Sequence, residues 1–477
     1  MKRMDTPESP LPQEFTLPAR LGRREQASAG LLLALAALIL APTFYRGLAC
    51  GHDTLTHFYR VVQVALNAQN GAPFSLWSPD FMRGYGYTIF PFYAPLTYWG
   101  TAVLHFLGLD FSPALRLAAW LMLWLAGWGG YNLARRYVNP AGAMIAGLAY
   151  LFAPYLLYNA TQRGAFPELL GLALLPWALA VSDVALVSRS RRAVVTAVFF
   201  FSPLVLAHNI IPNLGFVLLL GLAIGRSRGW SVSALWSAIR PALVVIALTL
   251  AVTAFFWLPA YVELGFTQTR RTDSPFASWP SYEQHFTSWR QVVGWPEEPG
   301  DPALTNPPIS VKIGAGTAVL ALLAVALGIG HGRYRRPWLW LWIILTLGCL
   351  FLASPNSGWW WARLPLPEFV QLPSRFFGPA SLGTAVLAGV AGDWLAGDRY
   401  RRWVEAAFFA ACAFGVSLSG WFWLYPAVCP APAAPTAVTV AQSTLWDETG
   451  GVQQWGGDSL GETLPRWVDK LPEPNAL

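Results

Sequence analysis

Long apolar runs separated by short arginine-rich segments dominate the chain. The first run, "SAGLLLALAALILAPTFYRG", covers residues 28–47 and is almost uncharged. Such runs are about 18 to 25 residues long, the length that an α-helix needs to cross roughly 30 Å of hydrocarbon. Soluble domains instead disperse their apolar residues in amphipathic patterns. The pattern predicts an all-α polytopic membrane protein.

Charge agrees with this prediction and adds an orientation. Only 12% of the residues are charged, against roughly 25% in soluble domains. The formal net charge of +7 resides in clusters between the apolar runs, namely Arg135 and Arg136; Arg189, Arg191 and Arg192; Arg226 and Arg228; Arg333, Arg335 and Arg336; Arg399, Arg401 and Arg402. Basic residues in short loops stay in the cytoplasm. The positive charge therefore indicates topology, and we exclude nucleic acid as a partner.

Placing all five clusters in the cytoplasm gives a topology of about 11 transmembrane helices, with the N-terminus inside and the C-terminus outside. If the segment 91–109 crossed the bilayer, every later arginine cluster would lie on the outer side of the membrane instead of in the cytoplasm. Its aromatic and proline content suits a helix lying in the membrane interface, within the first outer loop. The predicted crossings are 29–48, 113–134, 141–159, 166–187, 193–209, 212–225, 239–261, 313–331, 337–354, 376–396 and 403–425.

The topology divides the chain into three parts. Residues 1–27 form a cytoplasmic tail, residues 28–425 the transmembrane domain, and residues 426–477 an outer linker and tail that is too short to form a core alone. Outer loops are predicted at 49–112, 262–312 and 355–375, and the proline- and tryptophan-rich second loop is expected to be ordered or lid-like. Cys50 and Cys429 both fall outside the membrane, which permits a disulfide.

Titratable residues cluster directly after the first apolar run, in "GHDTLTHFYR". Asp53, His57 and Arg60 follow an i, i+4, i+7 spacing, so a helix would carry them on one face. Asp53 then either caps the helix N-terminus, with His57 a surface residue, or serves as the base for a lipid-linked reaction. These two interpretations are compatible, because a capping carboxylate can also be a catalyst.

Two further outer stretches carry charge. "NATQRGAFPELL" places Arg163 and Glu168 at the turn between two helices, and "QLPSRFFGPASLG" places Arg375 at the outer start of another. A single arginine at a helix end can merely extend to the interface. Arginines that face one cavity would instead form a phosphate clamp, since guanidinium groups match phosphate oxygens. His208 is a weaker candidate, more typical of a residue satisfied at the interface.

At these residues the chain resembles the bacterial membrane family labelled "6-pyruvoyl-tetrahydropterin synthase-related", which is similar in architecture to GT-C glycosyltransferases. The matching pieces spread over about residues 50 to 470: "GHDTLTHFYRV", "WSPDFMRGYGYTIFPFYAPLTYW", "RGAFPELLGLALLPW", "FFWLPAYVE", "LPSRFFGPASLG" and "GDSLGETLPRWV". The label does not imply pterin chemistry, because the sequence offers no three grouped histidines for a zinc site.

The resemblance implies a multi-pass transferase of the bacterial inner membrane, with its active site at the outer face. Such enzymes take a sugar from a polyprenyl-phosphate carrier, and their acidic residue in the first outer loop matches Asp53, the expected base of an inverting transfer to an envelope acceptor. The substrate- and phosphate-binding candidates are His57, Arg60, Arg163, Glu168 and Arg375. A divalent metal at Asp53 stays open. Relatives usually continue into a soluble outer domain, whereas this chain stops at Leu477, so the tail is expected to be the stub of a missing domain or the domain is absent.

Two other functions remain open from the sequence: a lipid or polysaccharide transporter, and a non-catalytic envelope-assembly protein. Transporters more often carry buried acidic residues within their helices. Here the helix interiors are nearly free of carboxylates, since Asp183, Asp393 and Glu405 fall near the predicted inner ends. No Walker loop, dinucleotide glycine fingerprint or CxxC pair occurs in the sequence, which argues against ATP-driven transport and redox chemistry.

Overall fold

The computed structural model describes residues 22–49, 51, 53–227, 229–268, 282–289, 292, 313–330, 337–395, 402–418 and 420, together with short pieces of the tail at 428–429, 436, 444–446, 452–454 and 466. The helices are α1 (Arg23–Ile39), α2 (Ala41–Arg46), α3 (Thr54–Gln69), α4 (Leu96–Phe106), α5 (Phe111–Ala134), α6 (Pro140–Leu151), α7 (Pro154–Tyr158), α8 (Phe166–Ser188), α9 (Arg191–Ala207), α10 (Ile211–Gly225), α11 (Val232–Val252), α12 (Ala254–Glu263), α13 (Ala315–Gly330), α14 (Pro337–Ala353), α15 (Gly358–Trp361), α16 (Leu366–Phe369), α17 (Phe377–Leu395) and α18 (Arg402–Leu418).

Shorter elements complete the description. A π-helical turn (Asn159–Arg163) extends α7. Strand β1 (Leu48–Ala49) pairs antiparallel with β2 (Val428–Cys429), and β3 (Thr444–Trp446) pairs with β4 (Val452–Gln454). Cys429 is disulfide-bonded, while Cys349 and Cys412 are free; Cys50 lies outside the described residues. The 3₁₀ turns are Met82–Gly84, Leu264–Phe266, Tyr282–His285, Pro355–Ser357 and Pro373–Phe376.

Helices occupy all of the positions where the sequence predicts crossings, but several are broken. The first divides at Leu40, and the helix predicted at 141–159 divides after Leu151 and resumes at Pro154. Proline lacks the backbone N–H and clashes with the preceding turn; Pro42 and Pro154 stand at these two breaks. In the segment 91–109 the helix is shorter than expected and covers only α4.

The number of membrane crossings stays a prediction. Among the described residues, three helical runs are long and apolar enough to span a bilayer, and a fourth span results if the pair Pro337–Ala353 and Pro355–Trp361, bent by 87°, is counted as one. Other apolar helices are shorter, such as Ile211–Gly225. At about 1.5 Å per residue, a helix of some 15 residues covers only about 23 Å. The three runs are Pro140–Arg163, Phe166–Ser188 and Val232–Val252.

The core of the bundle surrounds α8 and α17. Helix α8 packs against α5, α9 and α10, while α17 packs against α6, α13 and α14. Most side chains of α6 and α8 are buried inside the protein, whereas α11 is mostly exposed and contributes few residues to the core. A helix that is apolar all round and exposed in this way is typical of a lipid-facing position.

A buried ion cluster joins α5, α8 and α10 at one end of the bundle. The side chain of Asp183 is fully buried; its Oδ2 lies 3.0 Å from Arg136 Nε, and its Oδ1 lies 2.7 Å from Arg226 Nη2. At the same end, Asp393 Oδ1 accepts a hydrogen bond from the backbone N–H of Asn139 at 3.0 Å. Arg136 and Arg226 belong to two of the clusters predicted to face the cytoplasm, and the structure places both at one end.

The predicted orientation can be tested by labelling. We expect Ala72→Cys, at the opposite end of the bundle, to react with a membrane-impermeant maleimide in right-side-out spheroplasts. Ala141→Cys, at the start of α6, should react only after permeabilisation. Both positions are exposed, and both variants are made in a Cys349→Ala, Cys412→Ala background whose own labelling is the control. The reverse reactivity would show an inverted topology.

Candidate active site

The start of α3 is docked by its backbone onto the end of the π-helical turn. The N–H of Asp53 donates to the carbonyl of Arg163 at 2.7 Å. Gly164 adopts φ +70°, and a Cβ there would lie 2.0 Å from Thr54 Oγ1 and 2.8 Å from Thr54 N. On the other side, a Cβ on Gly51 would lie 2.7 Å from Gly164 N. The two segments therefore approach as closely as glycine permits, and this contact fixes Asp53 beside Arg163.

Asp53 occupies the N-cap position of α3, but its side chain makes no capping hydrogen bond. Its Oδ2 lies 3.4 Å from Arg163 Nε, and 41% of the side chain is exposed. Asp53 therefore has the position that the capping interpretation predicts, in the favourable field of the helix N-terminus. The other part of that interpretation is wrong, because His57 is buried and not a surface residue. Asp53 is a carboxylate next to a guanidinium and open to an approaching molecule.

A buried carboxylate, Glu168, holds the neighbouring charges together. It lies in the first turn of α8 with 1% of its side chain exposed, and Arg163 Nη1 donates to its Oε2 at 2.8 Å. The hydroxyl of Tyr155 donates to Oε1. Arg375 Nε and His208 Nε2 lie 3.8 and 3.9 Å from Oε2. This carboxylate thus lies within 4 Å of two guanidinium groups and offsets the several kcal/mol that burying unpaired charge would cost.

Arg375 reaches this centre from the 3₁₀ turn before α17, with its residue 6% exposed. Its Nη1 donates to the side-chain oxygen of Gln371 at 2.5 Å and to the carbonyl of Val370 at 3.3 Å. Its Nε is buried and has no hydrogen-bond partner among the described residues. Leaving a buried donor unpaired costs roughly 1–3 kcal/mol. The site therefore holds a guanidinium N–H that an acceptor oxygen would satisfy.

His57 and Arg60 form a second cluster with tyrosines of the first outer loop. His57 Nδ1 lies 2.9 Å from the Tyr98 hydroxyl, and Arg60 Nη1 donates to the same oxygen at 3.1 Å. The Arg60 guanidinium also stacks over the ring of Tyr93, 3.8 Å from its centroid. Arg60 is 1% exposed, so its positive charge is buried beneath Tyr93 and Tyr98. Burial raises the pKa of Tyr98 to about 12, and the hydroxyl keeps its proton at neutral pH.

His208 and Asn209 tie the first outer loop to the junction of α9 and α10. His208 Nδ1 accepts hydrogen bonds from the backbone N–H groups of Ile210 and Ile211 and thereby caps the N-terminus of α10. Asn209 accepts from the N–H of Ala94 at 3.1 Å and donates to the carbonyl of Phe92 at 2.5 Å. These hydrogen bonds agree with the interpretation of His208 as a satisfied interface residue.

Part of the second outer loop docks next to the turn that carries Arg375. Within residues 282–289, the ring of Tyr282 stacks on Trp361 with centroids 5.4 Å apart, and the N–H of Thr287 donates to the carbonyl of Ala353 at 2.9 Å. Trp361 in turn meets Phe376 edge-on at 6.1 Å. Residues 269–281 and 293–312 lie outside the described residues, and the prediction of an ordered or lid-like loop stays a prediction.

The structure brings all six residues selected from the sequence into this region. Asp53, Arg163, Glu168 and Arg375 form one continuous chain of contacts, and His57 follows one turn after Asp53, with Arg60 beyond it. Sequence reasoning missed Tyr98 and Tyr155, which complete the two clusters. A buried hydroxyl needs a partner, but no pattern in the sequence distinguishes these two residues from the other tyrosines of the apolar runs.

The described residues do not form a metal site of the usual kind. No group of three or more His, Cys, Asp or Glu side chains capable of holding a metal occurs in the part of the chain that the structure describes. Glu168 is engaged by Arg163 and Tyr155, and Asp53 faces Arg163. This donor set does not fit the divalent metal left open at Asp53, and we assign no step to one.

Comparison with known proteins supports the fold. Residues 90–289 match the model of a family described as "6-pyruvoyl-tetrahydropterin synthase related domain; membrane protein", which confirms the resemblance predicted from the sequence motifs. No curated protein matches the chain. The family description names a membrane protein, in agreement with the predicted class.

Solved structures with a similar fold include glycosyltransferases. The arabinofuranosyltransferase AftD from Mycobacteria is 15% identical with a TM-score of 0.53, over 85% of this chain and 27% of AftD. ArnT from Cupriavidus metallidurans, solved with undecaprenyl phosphate, is 17% identical with a TM-score of 0.50, over 84% of this chain and 76% of ArnT. The oligosaccharyltransferase of Archaeoglobus fulgidus is 12% identical with a TM-score of 0.49, over 84% of this chain and 56% of its own. At these identities the likeness shows the fold alone, a bundle of α-helices.

Gly164→Ala should separate α3 from the π-helical turn. We expect it to lower the free energy of unfolding by about 2–5 kcal/mol, since a left-handed backbone costs an L-residue roughly 1–2 kcal/mol and overpacking adds about 1–3 kcal/mol. Gly71→Ala is the matched control, because Gly71 has φ +82° with nothing within 4 Å of an added Cβ. Unfolding in mixed micelles measures both; equal losses would contradict the close contact.

Proposed function

We propose that the chain is a membrane glycosyltransferase that moves a sugar from a polyprenyl-phosphate carrier to an envelope acceptor at the outer face of the bacterial inner membrane. The observation that carries the proposal is the half-exposed carboxylate of Asp53, held 3.4 Å from the guanidinium of Arg163. The same guanidinium shares Glu168 with Arg375. A proton acceptor therefore stands beside an anion-binding centre, the two groups that such a transfer requires.

Asp53 acts as the general base. It takes the proton of the acceptor hydroxyl as that oxygen attacks the anomeric carbon. The bond from this carbon to the phosphate oxygen breaks, and its electron pair leaves with the phosphate, through an oxocarbenium-like transition state. Direct displacement inverts the anomeric centre. Because Asp53 is partly exposed, it can return the proton to water after the product leaves.

The carrier phosphate binds to Arg375 and Arg163. Arg375 Nε is buried without a hydrogen-bond partner among the described residues, and a guanidinium N–H forms its strongest bonds with anionic oxygens. The lipid tail of the carrier dissolves in the bilayer, which places its phosphate at the interface. Arg60 adds positive charge from its buried position on Tyr93. The presence of undecaprenyl phosphate in the ArnT structure, which shares the fold, supports this class of carrier.

A transporter or an assembly protein would bind the same lipid without breaking the bond between sugar and phosphate. Transfer of a labelled sugar by the purified protein separates the proposed function from both alternatives. The assay uses undecaprenyl-phosphate-linked hexoses and pentoses as donors and envelope extracts as acceptors. Donor binding without sugar transfer by the wild-type protein would favour the alternatives.

Asp53→Asn should abolish transfer while the protein still binds undecaprenyl phosphate. An amide cannot accept the proton at neutral pH, and general base catalysis contributes about 10²–10⁴-fold to the rate. Asp110→Asn is the control, because Asp110 is an exposed aspartate in the same outer loop, also at an N-cap position without a capping hydrogen bond. Full activity of Asp53→Asn would remove Asp53 from the mechanism.

Arg375→Gln should weaken the binding of undecaprenyl phosphate by at least tenfold, since hydrogen bonds to charged groups contribute about 1.5–3 kcal/mol. Equilibrium binding in detergent measures the change, and a thermal unfolding scan checks that the variant is folded. Arg363→Gln is the control: Arg363 is exposed and stacks on Trp359 in the same outer segment. A folded Arg375→Gln protein with wild-type affinity would place the phosphate elsewhere.

A further inference from the structure

We propose that His57 is a fixed, uncharged hydrogen-bond donor to an oxygen of the sugar–phosphate head of the donor, and that Tyr98 and Arg60 are the positioning residues that set its tautomer. This inference rests on the proposed transferase function, because it assigns a role within the same site. It follows from the direction of two hydrogen bonds and from His57 Nε2, which forms no hydrogen bond among the described residues.

The first step concerns Arg60, whose guanidinium can only donate. Its Nη1 lies 3.1 Å from the Tyr98 oxygen, which must therefore accept. Tyr98 is fully buried, and its hydroxyl has His57 Nδ1, at 2.9 Å, as its other hydrogen-bond partner among the described residues. If His57 Nδ1 donated instead, the buried hydroxyl hydrogen of Tyr98 would have no acceptor in this set. Tyr98 therefore donates to Nδ1.

The second step concerns the tautomer. A neutral imidazole carries one hydrogen, and an accepting Nδ1 places it on Nε2. Burial, together with the positive charge of Arg60 and Arg163 and the nearby His208, lowers the pKa of His57 well below its usual range. The ring therefore stays neutral at physiological pH, and its Nε2–H is a donor. No hydrogen bond of Nε2 occurs among the described residues.

The third step concerns position. His57 lies one helical turn after Asp53, and its N–H donates to the Asp53 carbonyl at 2.9 Å. Its ring is held edge-on by Phe166, at 6.2 Å, at the start of the helix that carries Glu168. The residue is 5% exposed, so its ring is fixed. Arg163, which faces Asp53, lies close enough to act on the charge of this ring. A sugar–phosphate head presents acceptor oxygens that match the Nε2–H donor of His57.

The assignment excludes His57 as the base. Its Nδ1 is occupied by the Tyr98 hydroxyl, and its Nε2 already carries the hydrogen. Asp53 can only accept hydrogen bonds when ionised, whereas neutral His57 offers a donor on the same face of α3. One turn of helix thus presents an acceptor for the incoming hydroxyl and a donor for the bound head group.

The tautomer is tested by ¹⁵N NMR of protein labelled at its six histidines, with His57 identified by the signal lost in His57→Gln. We expect Nε2 to carry the hydrogen at about pH 7, and Tyr98→Phe to produce a mixture of tautomers. Tyr59→Phe is the control, because Tyr59 packs on Phe58 in the same helix. A protonated Nδ1 or a charged ring in the wild-type protein would overturn the proposal.

The donor role is tested by binding. His57→Gln keeps an N–H donor and should bind within about threefold of wild type, whereas His57→Leu should lose about three- to tenfold, the value of one neutral hydrogen bond. Undecaprenyl phosphate and its glucosyl ester are the probes. A loss for both assigns the bond to the phosphate, and a loss for the glucosyl ester alone assigns it to the sugar.

Equal binding of both probes by His57→Leu and wild type would overturn the donor role. The NMR measurement needs no ligand, so failure of the proposed function and failure of this inference are distinguishable. A wild-type protein that binds neither probe contradicts the carrier, while a wild-type protein that binds both with no effect at His57 contradicts only the inference.

Discussion

The burial of Glu168 is the constraint on which the site depends. Two guanidinium groups, from the end of the π-helical turn and from the turn before α17, meet inside a helical bundle, where unpaired charge costs several kcal/mol. Glu168 lies within 4 Å of both. Its place in the first turn of α8 adds the favourable field of a helix N-terminus. Glu168 lies beside both guanidinium groups. Asp53 is partly exposed and therefore accessible to a ligand.

Helix α8 carries a second buried carboxylate, Asp183, at its other end. The two carboxylates differ in how completely their arginine partners are hydrogen-bonded. Asp183 receives three guanidinium hydrogen bonds of 2.8–3.0 Å from Arg136 and Arg226. Around Glu168, by contrast, Arg375 stops at 3.8 Å and keeps an unpaired buried Nε. The first cluster is saturated and holds three helices together. The second is incomplete, because Arg375 Nε has no acceptor among the described residues.

The sequence predicts part of this arrangement for clear physical reasons. Helical spacing places Asp53, His57 and Arg60 on one face, and the alternation of charge clusters with apolar runs places Arg163 and Arg375 at one end of the bundle. The tyrosines were not predicted, because Tyr98 and Tyr155 lie in apolar runs where their hydroxyl groups give no distinct pattern. The π-helical turn and the glycine contact were missed for a related reason: both depend on how closely two distant segments approach. Helices such as Ile211–Gly225 are shorter than the ~20 residues that span a bilayer, so helix length alone does not give the number of crossings.

In the proposed mechanism Asp53 is a hydrogen-bond acceptor and His57 a donor, and the positive charge of the nearby arginines bears on both roles. Three guanidinium groups, those of Arg60, Arg163 and Arg375, surround the region, and a histidine there cannot readily gain a positive charge. In the proposed transfer, the proton of the attacking hydroxyl goes to Asp53, the partly exposed carboxylate of the site. Burial and the positive charge of the arginines keep the ring of His57 neutral, so in the proposed mechanism its Nε2–H donates while Asp53 accepts.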